Sequence, residues 1–375
     1  MATSSQSPHG MGLRIAIGID FGTTFSGAAV RSSHFANSLR GWLSSRLQGD
    51  LGYSTDFHLK RLDDARRLWV QHNTTATALT VDYLKSLWRA TLDHVIGAGR
   101  ITKEQIVGLT LHVAIGVPAN SKPETLARFK GAVEAAGIPA CAGHRHLLST
   151  VEFCMEPEAA ALAYIEVTGS LSDLTSGGII TICDCGGATA DAISYDITST
   201  EPLALEECVP GDARFCGLVL LDGLFRERLE EKIREAVGPS APSDISIWTR
   251  HLYRLMWRRL IKPDFDGSSG PYSEPIATGR RGKRQCTRSA DVTFTSDELK
   301  ALFDPTIGKI VDLVRNQVEA AWQKRHKLPK YLIVCGGFSG SRYLGIQLSA
   351  EINRLNNEYS QEHPIRIETA TRIER

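Results

Sequence analysis

Leu13-Arg14-Ile15-Ala16-Ile17-Gly18-Ile19-Asp20-Phe21-Gly22-Thr23-Thr24 is the first readable segment of the chain. The run Leu13 to Asp20 is short, apolar and rich in isoleucine, which predicts a buried strand. It stops at Asp20-Phe21-Gly22-Thr23-Thr24, where Gly and Thr favour a turn, and Phe25 to Val30 reads as the returning strand of a hairpin. The same pattern starts again after Gly177-Gly178. Ile179 to Cys183 predicts a strand, Asp184-Cys185-Gly186-Gly187-Ala188-Thr189 a turn, and Ala190 to Tyr195 a second strand. A strand, Asp-x-Gly turn, strand unit that occurs twice predicts two similarly built α/β lobes.

The remaining elements fit that plan. Apolar residues at Leu79, Tyr83, Leu84, Leu87, Trp88 and Leu92 have helical spacing across 77–95. Leu109 to Val117 reads as a strand ending at Pro118, followed by a helix capped by Ser121 and closed by Gly137. Ala159 to Ile165 and the amphipathic stretch Leu220 to Val237 are further helices. Pro239 to Thr293 reads as a mixed helical and loop insertion containing the basic run Arg280-Arg281-Gly282-Lys283-Arg284. Ser296 is the expected cap of the next helix and Pro305 the expected start of another. Tyr331 to Cys335 is the last clear strand, leading into Gly336-Gly337-Phe338-Ser339-Gly340. Residues 31–75 have no clear periodicity, apart from a helix expected over Leu62 to Val70.

Composition sets bounds. A chain of 375 residues exceeds one typical core and suits two domains. Its formal net charge of +1 gives no reason to expect nucleic acid or an anionic membrane as partner. Eight scattered cysteines, several in apolar runs, read as reduced core thiols of an intracellular protein. No stretch approaches the ~18 apolar residues of a membrane span, and Met1 to Gly12 lacks the pattern of a secretory signal. The expected location is the cytoplasm.

Three Gly-rich turns each follow a buried strand. Such turns aim several backbone N–H groups at one point, which a polyphosphate needs. The hydroxyls of Thr23, Thr24 and Thr189 add donors. The carboxylates of Asp20, Asp184 and Asp191 suit a hydrated Mg²⁺, which takes oxygen ligands and keeps several waters. Cradle, metal and water-orienting carboxylate together describe phosphoryl transfer.

These residues resemble the heat-shock seventy-kilodalton superfamily. Ile17 to Ser26 looks like its first phosphate motif and Asp184 to Asp191 its second. Glu156-Pro157-Glu158-Ala159-Ala160-Ala161-Leu162-Ala163-Tyr164 is similar to the segment joining its lobes, and Val334 to Ser339 to its adenosine motif. The resemblance runs in order from about residue 13 to 345. Ile261 to Gly267 and Leu299 to Pro305 look like a divergent branch whose members often lack a peptide-binding domain. The resemblance implies a two-lobed actin-like ATPase of ribonuclease-H-like fold, with nucleotide in the cleft between lobes. The first lobe would be 13–170, with a shortened insertion at 31–76. The second would be 177–375, with a helical insertion at about 223–330 and a truncated C-terminus.

By the same resemblance Asp20 and Asp184 hold Mg²⁺, Glu156 and Asp191 position waters, and Thr189 serves catalysis. Gly22, Thr23, Thr24, Gly186, Gly187, Ala188, Thr189 and Gly217 would contact phosphates. Gly336, Gly337, Phe338 and Arg342 would face the adenosine. The implied ligands are ATP or ADP with Mg²⁺, and the implied activity slow hydrolysis coupled to lobe closure. An unidentified protein partner or co-chaperone would read that motion.

The sequence departs from the motif at four places. Ala188 stands where a third glycine is usual, which costs affinity if the position needs positive φ or very close phosphate approach. Leu218 is larger than usual beside Gly217 and is expected to crowd the phosphates. The catalytic lysine has only Lys60 and His58 as candidate counterparts, and the usual closing Ala/Gly-rich helix of the second lobe is missing before the chain ends at Arg375. A non-hydrolysing nucleotide-binding scaffold is therefore the alternative. A sugar kinase is disfavoured by the Glu156 to Ala161 segment. Zinc at Cys183-Asp184-Cys185 is disfavoured because these strand-end cysteines have no second pair, and His144-Arg145-His146 reads as a solvated loop rather than a metal site.

Overall fold

The structure, a computed structural model, describes residues 14–21, 26–32, 43–44, 70–97, 110–118, 121–138, 150–168, 173–240, 244–277, 289–359 and 363–369. These form an α/β protein with mixed sheets, in two compact units that divide between Glu156 and Pro157. The helix expected over 62–70, Lys60, His58, the 144–146 triplet and the basic run 280–284 lie outside the described residues, Val70 apart.

In the first unit, β1 (Arg14–Phe21) pairs antiparallel with β2 (Ser26–Ser32), and β2 carries the short β3 (Leu43–Ser44). On its other side β1 runs parallel to β4 (Thr110–Val117), and β4 parallel to β5 (Thr150–Met155). Ile15, Ile17 and Ile19 of β1 and Leu111, Val113 and Ile115 of β4 are all buried. They share one core with Leu84, Leu87 and Trp88 of α1 (Ala76–Gly97) and Val133 of α2 (Pro123–Ala135). The period-2 and 3.6-period apolar patterns point at the same core, which selects this arrangement. Lys122, rather than the expected Ser121, is the N-cap of α2, without a side-chain cap bond. Pro123 has no N–H to satisfy in that first turn, so less capping is required.

The second unit repeats the sheet. β6 (Ile179–Cys185) pairs antiparallel with β7 (Ala190–Thr200), and β7 with β8 (Leu203–Arg214). β6 also runs parallel to β11 (Tyr331–Cys335), and β11 to β12 (Arg366–Thr369). The order β8-β7-β6-β11-β12 thus matches β3-β2-β1-β4-β5 strand for strand, directions included.

Around this sheet lie α3 (Glu156–Thr168), α4 (Leu218–Val237), and α5 (Ser246–Leu252), which continues as π-helix over Tyr253–Ile261. Then come the hairpin β9 (Tyr272–Ala277) and β10 (Ser289–Phe294), α6 (Ser296–Arg325) and α7 (Arg342–Tyr359). The hairpin was not expected within 239–293. Phe225 of α4 stacks on Trp257 at 4.3 Å and Phe294 at 4.7 Å between ring centroids, anchoring this insertion to the core. Among the described residues no helix is long and apolar enough to cross a membrane.

Two helix expectations are corrected. Thr295, not Ser296, caps α6, through a capping box in which its hydroxyl and the Glu298 carboxylate each accept from the other's backbone N–H. The Ser296 hydroxyl is engaged elsewhere, donating to the carbonyls of Ser268 and Ser269. Pro305 starts no new helix but lies inside a single 30-residue one. The cost of a missing helical hydrogen bond is outweighed by continuous burial of Leu299, Phe303, Ile307, Ile310 and Val314 along one face.

Charged side chains tie α7 to α6. The Glu351 carboxylate accepts from Arg315 Nε at 2.6 Å and Arg354 Nη2 at 2.8 Å. Led by the Arg315 bond, these guanidinium groups hold the Glu351 carboxyl at about 2. A folded-state pKa below the ordinary 4.5 gives stability that is fully present above 4.5 and is lost as pH falls toward 2. Glu351→Gln is expected to cost about 1–3 kcal/mol at neutral pH. It should also shrink the stability difference between neutral and acid conditions, measured by urea unfolding from pH 7 to pH 3.

Candidate functional site

In the first unit the candidate residues collect at the carboxyl ends of the parallel strands, where open α/β sheets place ligands. Asp20 is exposed near the end of β1, opposite Gly27 of β2. Ile19 is in register with Ile115, so Asp20 and Gly116 stand one step further along neighbouring strands. Glu156, the first residue of α3, lies across Gly116, where an added Cβ would meet Glu156 Cγ at 3.1 Å and Oε1 at 3.9 Å. Gly116 therefore makes room for the Glu156 side chain beside the Asp20 strand end. It was not singled out from the sequence, although a glycine inside a strand is a known mark of close approach. Beneath this edge Phe21 meets Tyr83 and Phe129, each at 5.5 Å, which fixes the strand end on α1 and α2. Gly22, Thr23 and Thr24 lie outside the described residues.

In the second unit three segments far apart in sequence are bonded into one structure. The Asp184–Asp191 turn closes on itself through Gly186 N–H to Thr189 O at 2.9 Å. The start of α4 then docks on it, with N–H groups of Gly217, Leu218 and Val219 donating to the carbonyls of Ala188, Gly186 and Gly187. A Cβ on Gly217 would overlap the Gly187–Ala188 backbone, so only glycine allows this approach. The loop after β11 docks from the other side, where Phe338 N–H donates to Cys185 O at 2.9 Å. Gly336 has φ +83°, and its added Cβ would meet Asp184 Oδ1 and lie 2.5 Å from Cys185 O. Strand register agrees, since Asp184 sits between Asp191 of β7 and Cys335 of β11.

Two of the sequence departures lie in this region. Ala188 is absent from the positive-φ residues, so its methyl imposes no backbone strain. The Leu218 side chain packs against the core of the second unit. The Phe338 side chain is also in the core, 1% exposed, and its N–H is engaged. Phe338 thus anchors its loop and offers a ligand neither its ring face nor its amide. Arg342 opens α7 and lies 3.6 Å from the Asp266 carboxylate. Asp266 is itself held below the usual carboxylate range, chiefly by the Ser268 and Ser269 backbone N–H groups.

The stretches 261–267 and 299–305 meet beside this loop. Phe265, Phe303 and Tyr343 form a ring cluster with centroids 5.1 to 5.9 Å apart. The Tyr343 hydroxyl donates to Asp304 at 2.7 Å.

The electrostatics single out Asp191. Burial, with a smaller contribution from the Asp212 charge, raises its carboxyl above the ordinary value, while a hydrogen bond from the Thr189 hydroxyl at 2.9 Å opposes the rise. The thiols flanking Asp184 are core groups, free and buried. Cys183 and Cys185 have sulfurs 3.6 Å apart, and this contact followed by burial pushes the Cys185 thiol up. Burial raises Cys216 to about 11. Among the described residues no three His, Cys, Asp or Glu side chains cluster as a closed metal site. Asp184 and Asp191 are directly opposite one another on the neighbouring strands β6 and β7.

No family model matches the chain. No curated protein matches it either.

Gly217→Ala and Gly336→Ala are each expected to cost more than ~2 kcal/mol in urea unfolding, because the added methyl meets backbone atoms. Gly337→Ala meets no atom within 4 Å and should change stability by less than ~0.5 kcal/mol. Thr189→Val should raise the Asp191 pKa further, read from the carboxyl carbon shift in an NMR titration.

Proposed function

We propose that the chain binds Mg-ATP and hydrolyses it slowly, and that its two units are the lobes of an actin-like ATPase of the heat-shock seventy-kilodalton superfamily. The observation that carries this reading is the state of the 186–189 turn. The first amides of α4 already donate to the turn's carbonyls. Gly187, Ala188 and Thr189, in contrast, donate none of the backbone hydrogen bonds among the described residues. Three successive uncommitted N–H groups on one tight turn match the requirement of a phosphate chain. They stand beside Asp184, which suits a metal, and beside Asp191, whose raised pKa suits proton transfer.

Matching strand order in the two sheets supports a duplicated fold in which Asp20 on β1 corresponds to Asp184 on β6. On this reading Mg²⁺ would neutralise phosphate charge. Asp20 and Asp184 would hold its water shell, Glu156 and Asp191 would orient the attacking water, and Asp191 would accept its proton. The loop at Gly336-Gly337, with Arg342, would receive the adenosine. Lobe closure around nucleotide would be the signal to a protein partner. A bound nucleotide that is never hydrolysed is the second reading, favoured by a first-lobe lysine that the motif resemblance does not supply.

Calorimetric titration of Mg-ATP into the full chain and into Asp184→Asn tests the reading. Micromolar binding that weakens at least about tenfold in the variant, with phosphate release from the wild type, is the expected result. Binding without phosphate release supports the scaffold instead. A folded wild type that binds no Mg-ATP overturns both.

A further inference from the structure

The helix formed by 246–261 has a second side that the nucleotide reading leaves unused. Leu252, Tyr253, Met256, Trp257 and Ile261 are buried on one face. The opposite face is exposed and carries Ile247, Arg250, His251, Arg254, Arg258 and Arg259. In π-helical geometry residues four and five apart share a face, so the widening over Tyr253–Ile261 gathers Arg254, Arg258 and Arg259 on one strip. Nine residues is long for a π-helix, a conformation that is often found at functional sites.

None of these three arginines has a carboxylate at ion-pair distance among the described residues, whereas Arg315, Arg325 and Arg354 elsewhere do. Arg250 is partly balanced by Asp244 at the helix start. Arg258 is held in place, with its guanidinium 5.8 Å from the Tyr253 ring and Arg226 at 4.9 Å from the same ring. At the head of the strip Ile247 is 76% exposed, an apolar anchor beside the charge.

We infer that this face is a docking surface for an acidic peptide segment of a partner protein, with carboxylates paired to Arg254, Arg258 and Arg259 and an aliphatic side chain on Ile247. Guanidinium forks suit carboxylates geometrically, and complementary charge gives rate and specificity. A polyanionic surface fits less well, because the chain as a whole carries only +1 and builds no extended positive field.

The test uses the full chain and a fluorescein-labelled glutamate-rich peptide with one central leucine, followed by anisotropy. The wild type should bind, with affinity falling as salt rises. Arg254→Glu/Arg259→Glu should weaken binding at least about tenfold, and Lys327→Glu, an exposed charge reversal on the segment after α6, should not. Mg-ATP binding should be unchanged in both, which separates this surface from the nucleotide site. If the reversal variant fails to fold by circular dichroism, Arg254→Gln/Arg259→Gln should still weaken binding. Absence of peptide binding by the wild type, or equal binding by the folded variants, overturns the inference. So does tighter binding of duplex DNA or of phosphatidylserine vesicles than of the peptide.

Discussion

The close approach of Gly336 to Asp184 and Cys185 is the constraint on which the second unit depends. Two strand ends separated by some 150 residues can share hydrogen bonds only if one of them carries no side chain there. Once that approach is made, β11 is fixed beside β6, the 336–341 loop turns into α7, and α7 is clamped to α6 through Glu351. Gly217 does the same on the opposite flank and seats α4. The turn at 184–191 is therefore braced from both sides. A braced turn keeps its amides in place without ligand, which lowers the ordering cost of binding one.

Most of this was legible because local pattern and tertiary demand agree. Ile15, Ile17 and Ile19, and Ile179, Ile180, Ile182 and Cys183, are apolar because each strand is covered by its core, so their pattern announced them. The repeated Asp-x-Gly turn foretold repeated strand order. The errors arose where the deciding contact is distant. Ser296 looks like a cap from its neighbours alone, but its hydroxyl answers to Ser268 and Ser269, 27 and 28 residues away. Pro305 looks like a helix start because the penalty is local, whereas the burial that overrides it runs the length of α6.

The candidate site was legible by residue type and less so by role. Asp184, Gly186, Gly217 and Gly336 stand together. Phe338 was read as facing a ligand and instead fills the core, because a sequence motif does not say which atom of a residue is used. Gly116 escaped notice since its reason for being glycine, the Glu156 side chain 40 residues on, appears only in three dimensions. The φ of Ala188 is likewise something that no sequence displays.

Among the described residues the two units have separate apolar cores, one around Ile17, Val113 and Leu87 and one around Phe225, Leu313 and Val334. Two cores confer two cooperativities. Multi-domain chains do not in general unfold in a single all-or-none step, so one melting temperature is not a well-defined property of such a chain.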